Sequence, residues 1–231
     1  MTFSNILTYL LDLFFPNNCI CCSQPLVDGE SYLCLHCLYE LPRTNLHMIA
    51  DNEVEQRFWG KIRIEKATSF FYYSKNSPFK RILYQIKYHG YKEAGYVLGK
   101  YAAADLQKSA FFEDIDLIIP VPLHKKKQHK RGYNQSEWIA KGLSELSGIP
   151  YDCSAVSRIV NNPTQTQKAT FERHLNTNGI FRLNPSHGIE GKHILLVDDV
   201  LTTGATIEAC ARAIQEAAHT RISVFTLAVV Q

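Results

Sequence analysis

Asp198 and Asp199 stand side by side after an apolar run, Ile194 to Val197, and lead into Val200-Leu201-Thr202-Thr203-Gly204-Ala205-Thr206. Each half of this segment has a chemical use. Backbone N–H groups at the start of a helix are unpaired and carry partial positive charge, so they receive phosphate. Gly204 allows close backbone approach, Ala205 presents its N–H, and Thr202, Thr203 and Thr206 add hydroxyl donors. Adjacent carboxylates accept hydrogen bonds from vicinal sugar hydroxyls. A sugar phosphate therefore satisfies both halves at once. A Walker loop needs a Lys that does not follow Gly204, and the G-x-G-x-x-G of dinucleotide sites occurs nowhere in the chain. An ordinary capped helix would use Thr203 or Thr206 alone. It gives no reason for two carboxylates to repel one another at a strand end.

A second constellation lies near the N-terminus. Of 7 cysteines, Cys19 and Cys22 form one C-x-x-C and Cys34 and Cys37 another. Two such knuckles joined by a hairpin supply the four thiolates of a tetrahedral zinc site. The segment between them is too short for a core, so metal binding would supply its folding free energy. Four thiolates leave no open coordination position, so the expected role is structural. Cys21 competes with Cys22 for the site, and His36 is an outside candidate; Cys153 and Cys210 read as core thiols.

Cations crowd between His124 and Arg131, where Lys125, Lys126, Lys127, Lys130 and Arg131 follow one another. They suit a diphosphate or a nucleic-acid backbone, or form a solvated loop. Arg131 is the expected ligand contact and the lysines a surface patch. The segment Arg158 to Arg173, with Asn161, Asn162, Pro163, Gln165, Thr166, Gln167 and Lys168, is polar enough to close over a charged ligand. Lys87 and Tyr88 divide evenly between site and packing.

These groups need a frame. Ala67 to Tyr73, Ile115 to Val121, Ile194 to Val197 and Ile222 to Val230 read as strands. Ser77 to Tyr88, with Pro78 in the first turn, Tyr91 to Leu106, Glu137 to Leu146 closed by Gly148, and Thr206 to Ala218 read as helices. Strands alternating with helices predict an α/β fold, a mostly parallel sheet covered on both faces, with ligands at the carboxyl ends of its strands. The division expected is an N-terminal helix and zinc-binding module over 1–45, a joint over 46–66, and the α/β domain over 67–231.

Among 231 residues, 45% are hydrophobic and 20% charged, and the net charge is +3. That excludes a disordered chain and makes any nucleic-acid binding local. No apolar run is long enough to cross a bilayer. The segment Phe3 to Phe15 reads as an amphipathic helix built on Ile6, Leu7, Leu10, Leu11 and Phe14, without the basic start of a secretory signal. The expected location is the cytoplasm.

VDDVLTTGAT closely resembles the phosphoribosyl-pyrophosphate (PRPP) motif of type I phosphoribosyltransferases. With the four-cysteine finger, IKYHG at Ile86–Gly90, PVPLH at Pro120–His124 and RGYNQ at Arg131–Gln135, the whole resembles the ComF family of competence-associated proteins. The C-terminal half is similar to the transferase domain of amidophosphoribosyltransferase, but the chain begins Met1-Thr2-Phe3, without that enzyme's catalytic cysteine or glutaminase domain.

The resemblance implies a type I phosphoribosyltransferase-like fold. Asp198 and Asp199 would hold the ribose hydroxyls, and Thr202 to Thr206 the 5′-phosphate. Pro122, Leu123, His124 and Arg131, with Lys87, Arg158 and Gln165, are its diphosphate and lid candidates. Mg²⁺ would arrive with PRPP. The implied activity is that of a glycosyltransferase, moving a phosphoribosyl group to an acceptor the sequence does not name, with no evident general base. The alternative is a non-catalytic module binding PRPP and single-stranded DNA, with the aromatics Phe70 to Tyr73 as stacking surfaces and competence or DNA-processing proteins as partners.

Overall fold

The structure, a computed structural model, describes residues 17–160 and 179–231. Four strands form the main sheet: β1 (Ala67–Tyr73), β2 (Leu117–Pro120), β5 (His193–Leu201) and β6 (Arg221–Val230). Their order is β1-β6-β5-β2, and every pairing is parallel. Two short strands, β3 (Val156–Arg158) and β4 (Phe181–Leu183), pair antiparallel beside it.

Helices cover both faces, as parallel strands require. Side chains alternate across the sheet with period two. Ile118, Leu195 and Val197 pack with Ile82 and Ile86 of α3 (Lys80–Tyr88), Leu98 of α4 (Lys92–Leu106), and Ile139 and Leu143 of α6 (Gln135–Ser147). Leu117, Ile119, Ile194 and Leu196 instead meet Ile207, Cys210 and Ile214 of α7 (Ala205–Ala218). Helices α4 and α6 cross in backbone contact. A Cβ on Gly142 would lie 2.1 Å from the Tyr96 carbonyl oxygen, and one on Gly99 2.4 Å from that of Ile139.

Upstream of β1 the chain wraps the sheet. In the N-terminal module, α1 (Leu35–Tyr39) carries Cys37, and the cysteine cluster joins the core that holds Phe71 and Ile82. Thr44 N–H donates to Phe70 O and Tyr72 N–H to Pro42 O. The segment read as a joint packs against the sheet. There α2 (Glu53–Gln56) opens with a capping box between Asn52 and Glu55, and Val54 and Phe58 are fully buried. Asn52 Nδ2 donates to Ala67 O at 2.9 Å, locking this segment to β1.

Several boundaries move for identifiable reasons. The helix expected from Ser77 begins at Lys80, because the Ser77 hydroxyl accepts from Phe79 N–H and holds a turn ahead of it; Pro78 therefore does not open the helix. Strand β2 is shorter than Ile115 to Val121. Strand β5 runs past Val197 to Leu201, because pairing with β6 continues through Asp198 and Val200. The cation run is a helix, α5 (Lys125–Arg131), rather than a loop: the ring Nδ1 of His124 accepts from Lys126 N–H, and Gly132 closes the helix at φ 84°. Phe70 and Phe71 are both buried, since the sheet is covered on both sides, so neither is a stacking surface. Cys153 is exposed rather than core, whereas Cys210 is buried. The helix expected over Phe3 to Phe15 lies outside the described residues, as do Asn161 to Arg173 of the lid, Gln165 among them.

Candidate functional site

A cavity of about 750 Å³ opens at the carboxyl ends of β2 and β5. Asp198 and Asp199 lie on its floor, with Thr202 and Thr206 at one end. Because β5 continues through the acidic pair, both carboxylates are held by sheet hydrogen bonding rather than by a free turn. The chain then leaves the sheet. Gly204, at φ 82°, is the N-terminal cap of α7, a conformation that favours glycine, and no side chain caps the helix. Thr203 and Ala205 are exposed at this opening.

The two aspartates have different surroundings. Asp198 Oδ1 accepts from the Ser136 hydroxyl at 2.9 Å and from Asp199 N–H at 2.8 Å. Burial and the neighbouring Asp199 charge push its carboxyl up to about 7, against the pull of those two donors and Lys87. Asp199 pairs with the Lys87 ammonium, Nζ to Oδ2, at 3.0 Å. Lys87, left undecided by sequence, therefore belongs to the site.

Four consecutive residues gather the motifs around this floor. The Tyr133 hydroxyl donates to Ile86 O at 2.5 Å, tying RGYNQ to IKYHG. Asn134 Nδ2 donates to Val121 O at 3.1 Å, tying it to PVPLH. Gln135 lines the cavity, and Ser136 reaches Asp198. Pro122, Leu123, Arg131 and Arg158 also line it. His124 does not; its ring is the cap of α5.

Sequence reasoning missed several contributors. Lys127, grouped with the surface lysines, lines the cavity one helical turn before Arg131. Loss of water, then the charges of Arg158 and Arg131, lower its pKa. Arg57 supports the phosphate turn from outside. Its guanidinium donates to Thr202 O at 2.5 Å and to Val230 O at 2.7 Å, while the Phe58 ring lies 3.0 Å from where a Cβ on Gly204 would sit. Tyr84, not singled out by sequence, joins Tyr88, which was left undecided, at the mouth, their ring centroids 5.1 Å apart, with Arg131 over the Tyr88 ring at 5.3 Å. The i, i+4 spacing of two tyrosines was the available signal.

The second cluster lies away from this cleft. One ligand atom each from Cys19, Cys22, Cys34 and Cys37 lies within 4.8 Å of the others. The Cys22 and Cys34 sulfurs are 3.7 Å apart. Zinc–thiolate bonds of about 2.3 Å in a tetrahedron set sulfur–sulfur edges of roughly 3.8 Å, so the donor set fits such an ion. Cys21 is buried and outside the cluster, so the geometry favours Cys22. His36 is exposed and also outside it. Among the described residues no helix is long and apolar enough to cross a membrane.

Residues 129–229 match the family model of the phosphoribosyl transferase domain. The match takes in part of the cleft. Its floor is the Asp198–Thr206 segment, and its mouth is completed by α3, upstream of the matched residues.

Over 138 residues, 58% of this chain and 60% of the relative, the sequence is 28% identical to the DNA utilization protein YhgH of Salmonella typhimurium. It is 36% identical over 112 residues to the competence protein ComFC of Bacillus subtilis, covering 48% of this chain and 43% of that one. These relatives bear out the resemblance to the ComF family. The chain spans 60% of the first relative's length. Among solved structures, the glutamine PRPP amidotransferase of B. subtilis, complexed with ADP and GMP, is 24% identical. It covers 58% of this chain and 26% of that chain, with a TM-score of 0.41.

Proposed function

We propose that the cleft binds PRPP and transfers its phosphoribosyl group to an acceptor, releasing diphosphate. The observation that carries this reading is the alignment of three kinds of group in one cavity. An uncapped helix start and its threonines suit a phosphate, the carboxylate of Asp198 suits ribose hydroxyls, and Lys127, Arg131 and Arg158 stand on another wall. PRPP has a phosphate at one end, vicinal hydroxyls in the middle and a diphosphate at the other.

In the transfer, the bond from the anomeric carbon to the diphosphate oxygen breaks and a bond to the acceptor forms. Negative charge develops on the leaving group, where cations stabilise it. Mg²⁺, carried by the ligand's own phosphates, would neutralise part of that charge. The described residues supply binding and orientation, and no side chain among them stands out as a base. The four-thiolate cluster is proposed as a structural zinc site. Titration of the full chain with PRPP and Mg²⁺ tests the binding reading; diphosphate release with a panel of bases and amines tests turnover. No heat and no protection from thermal unfolding would refute binding.

A second reading has its own observation. Lys125, Lys126 and Lys130 of α5 are exposed beside the cleft, and that helix carries no acidic residue. Such a surface suits single-stranded DNA, which the competence and DNA-utilization names of the relatives also suggest. On this reading the chain binds PRPP and DNA without turnover. Charge reversal at Lys125 and Lys126 that leaves DNA affinity unchanged would remove it.

A further inference from the structure

One wall of the cleft carries chemistry that PRPP leaves unused. There Lys80, Arg81, Leu83, Tyr84 and Tyr88 of α3 line the cavity. Arg81, Tyr84 and Tyr88 stand at i, i+3 and i+7, so they form one stripe along the helix. The two tyrosines are 54% and 64% exposed, large rings open to a ligand. Arg81 is held from outside α3: its Nη2 donates to the Ser23 hydroxyl at 2.8 Å. Ser23 directly follows Cys22, has φ 65° and donates its own N–H to Cys19 O, so it closes the first cysteine knuckle. That single bond leaves most of the guanidinium N–H donors for a ligand, and among the described residues no carboxylate pairs with Arg81. The cysteine module therefore fixes a cation at the edge of the cleft.

We infer that Arg81, positioned by Ser23, and the Tyr84–Tyr88 pair form a nucleotide subsite: a flat ring lies on the tyrosines and its phosphate meets the guanidinium. Charge supports an anion here. Lys127, Arg131 and Arg158 stand on the wall given to the diphosphate, and Lys87 is paired with Asp199, so Lys80 and Arg81 remain as cations with no assigned anion. A guanidinium grips phosphate through two parallel hydrogen bonds, which a lysine does not match. Aromatic rings stack on any base, so the subsite takes a nucleotide without reading its identity. The spacing agrees. Arg81 precedes Lys87 by six residues, about 9 Å along the helix axis, roughly the reach of a mononucleotide from ring to phosphate. Its phosphate thus sits away from the threonine turn of α7. The subsite goes beyond the PRPP reading, because a nucleotide fills it whether or not PRPP occupies the floor. A free nucleotide and one unit of a nucleic-acid strand share this chemistry.

The test compares the full chain with Arg81→Gln, Tyr84→Ala, Ser23→Gly and Thr206→Val. Its probes are thymidine 5′-monophosphate, an oligothymidylate without terminal phosphates, and ribose 5-phosphate. Arg81→Gln and Tyr84→Ala should each lose about tenfold in affinity for the mononucleotide. Ser23→Gly keeps the left-handed backbone and removes only the hydroxyl, so it should lose roughly threefold with its metal content unchanged. Ribose 5-phosphate affinity should stay within about twofold in these three variants and fall in Thr206→Val. An oligothymidylate that binds more tightly than the mononucleotide, with the same losses, identifies a strand as the source. Binding of the mononucleotide alone identifies a free nucleotide. Unchanged mononucleotide affinity in Arg81→Gln or Ser23→Gly would overturn the inference. So would a loss confined to Thr206→Val, which seats the nucleotide phosphate in the α7 turn. Equal losses for mononucleotide and ribose 5-phosphate in Arg81→Gln would also overturn it, as general distortion, and so would a parent protein that binds neither nucleotide probe. A parent that binds the mononucleotide but neither ribose 5-phosphate nor PRPP would sink the PRPP reading and leave the subsite standing.

Discussion

The Ser136 hydroxyl donates to Asp198 Oδ1 at 2.9 Å, joining the first turn of α6 to the floor of the cleft. That bond favours the ionised carboxylate, yet burial and Asp199 outweigh it and leave Asp198 pushed up to about 7. The folded chain therefore holds a proton at Asp198 over a pH range where the unfolded chain has released it. Stability attributable to this group falls as pH rises from about 4 to about 7. The variant Asp198→Asn should lack that slope. Relative to the parent it should gain up to a few kcal/mol above pH 7 while losing PRPP binding. Thermal melting across pH, run in parallel on both proteins, checks the sign. A variant that melts far lower at pH 8 would show the carboxylate to be structural.

PRPP binding should strengthen as pH rises through about 7, because the ionised carboxylate accepts from ribose hydroxyls more strongly, and at more sites, than the protonated acid does. The ligand's own phosphates titrate nearby, so the comparison is with Asp198→Asn. The part of the pH dependence that disappears in the variant belongs to this residue. Calorimetric titrations at pH 6 and pH 8 would reveal it.

Arg57 is a positioning residue. Its two donors bind the Thr202 and Val230 carbonyls, so Arg57→Ala should free the phosphate turn. About 1 kcal/mol of stability and several-fold in PRPP affinity should go with it. A shorter donor set makes Arg57→Lys a partial substitute, retaining one of the two contacts. A change in melting with unchanged affinity would mean the guanidinium only holds the chain together.

Gly142→Ala should destabilise by roughly 2 kcal/mol or more, because the added carbon collides with the Tyr96 carbonyl and the helices must separate. Denaturant unfolding measures the loss. A neutral result would show that α4 and α6 pack less closely than described.

For the cysteine cluster, Cys34→Ser should release the metal and lower the melting temperature, while Cys21→Ser should keep the full metal content. Elemental analysis of both proteins separates the two thiols. Metal retained by Cys34→Ser would refute the ligand set.

The sequence showed the acidic pair, the threonine turn and the paired C-x-x-C knuckles because each is contiguous and chemically unusual. It showed the parallel sheet through apolar runs such as Ile194 to Val197, which only a doubly covered strand tolerates. Other parts are set by contacts between distant segments. Lys87 reaches Asp199 only after α3 docks, and neither residue type announces the pair. Arg57 lies in a stretch of mixed charge and weak periodicity, whose role depends on one guanidinium meeting two carbonyls. Gln135 belongs to a recognised motif but carries no sequence signal of its own, since its burial at the cavity follows only from the fold. Helix α5 left a solvated loop among its readings because consecutive lysines carry no apolar stripe.

The residues recognised as a transferase domain, 129–229, contribute only β5 and β6 to the main sheet. Both outer ribbons, β1 and β2, come from earlier in the chain. An excised fragment of those residues would carry the ligand-gripping segment, yet leave its two strands with raw, unpaired flanks open to other molecules. Expressed alone it should clump rather than fold, so the catalytic-looking half is a dependent of the chain that precedes it.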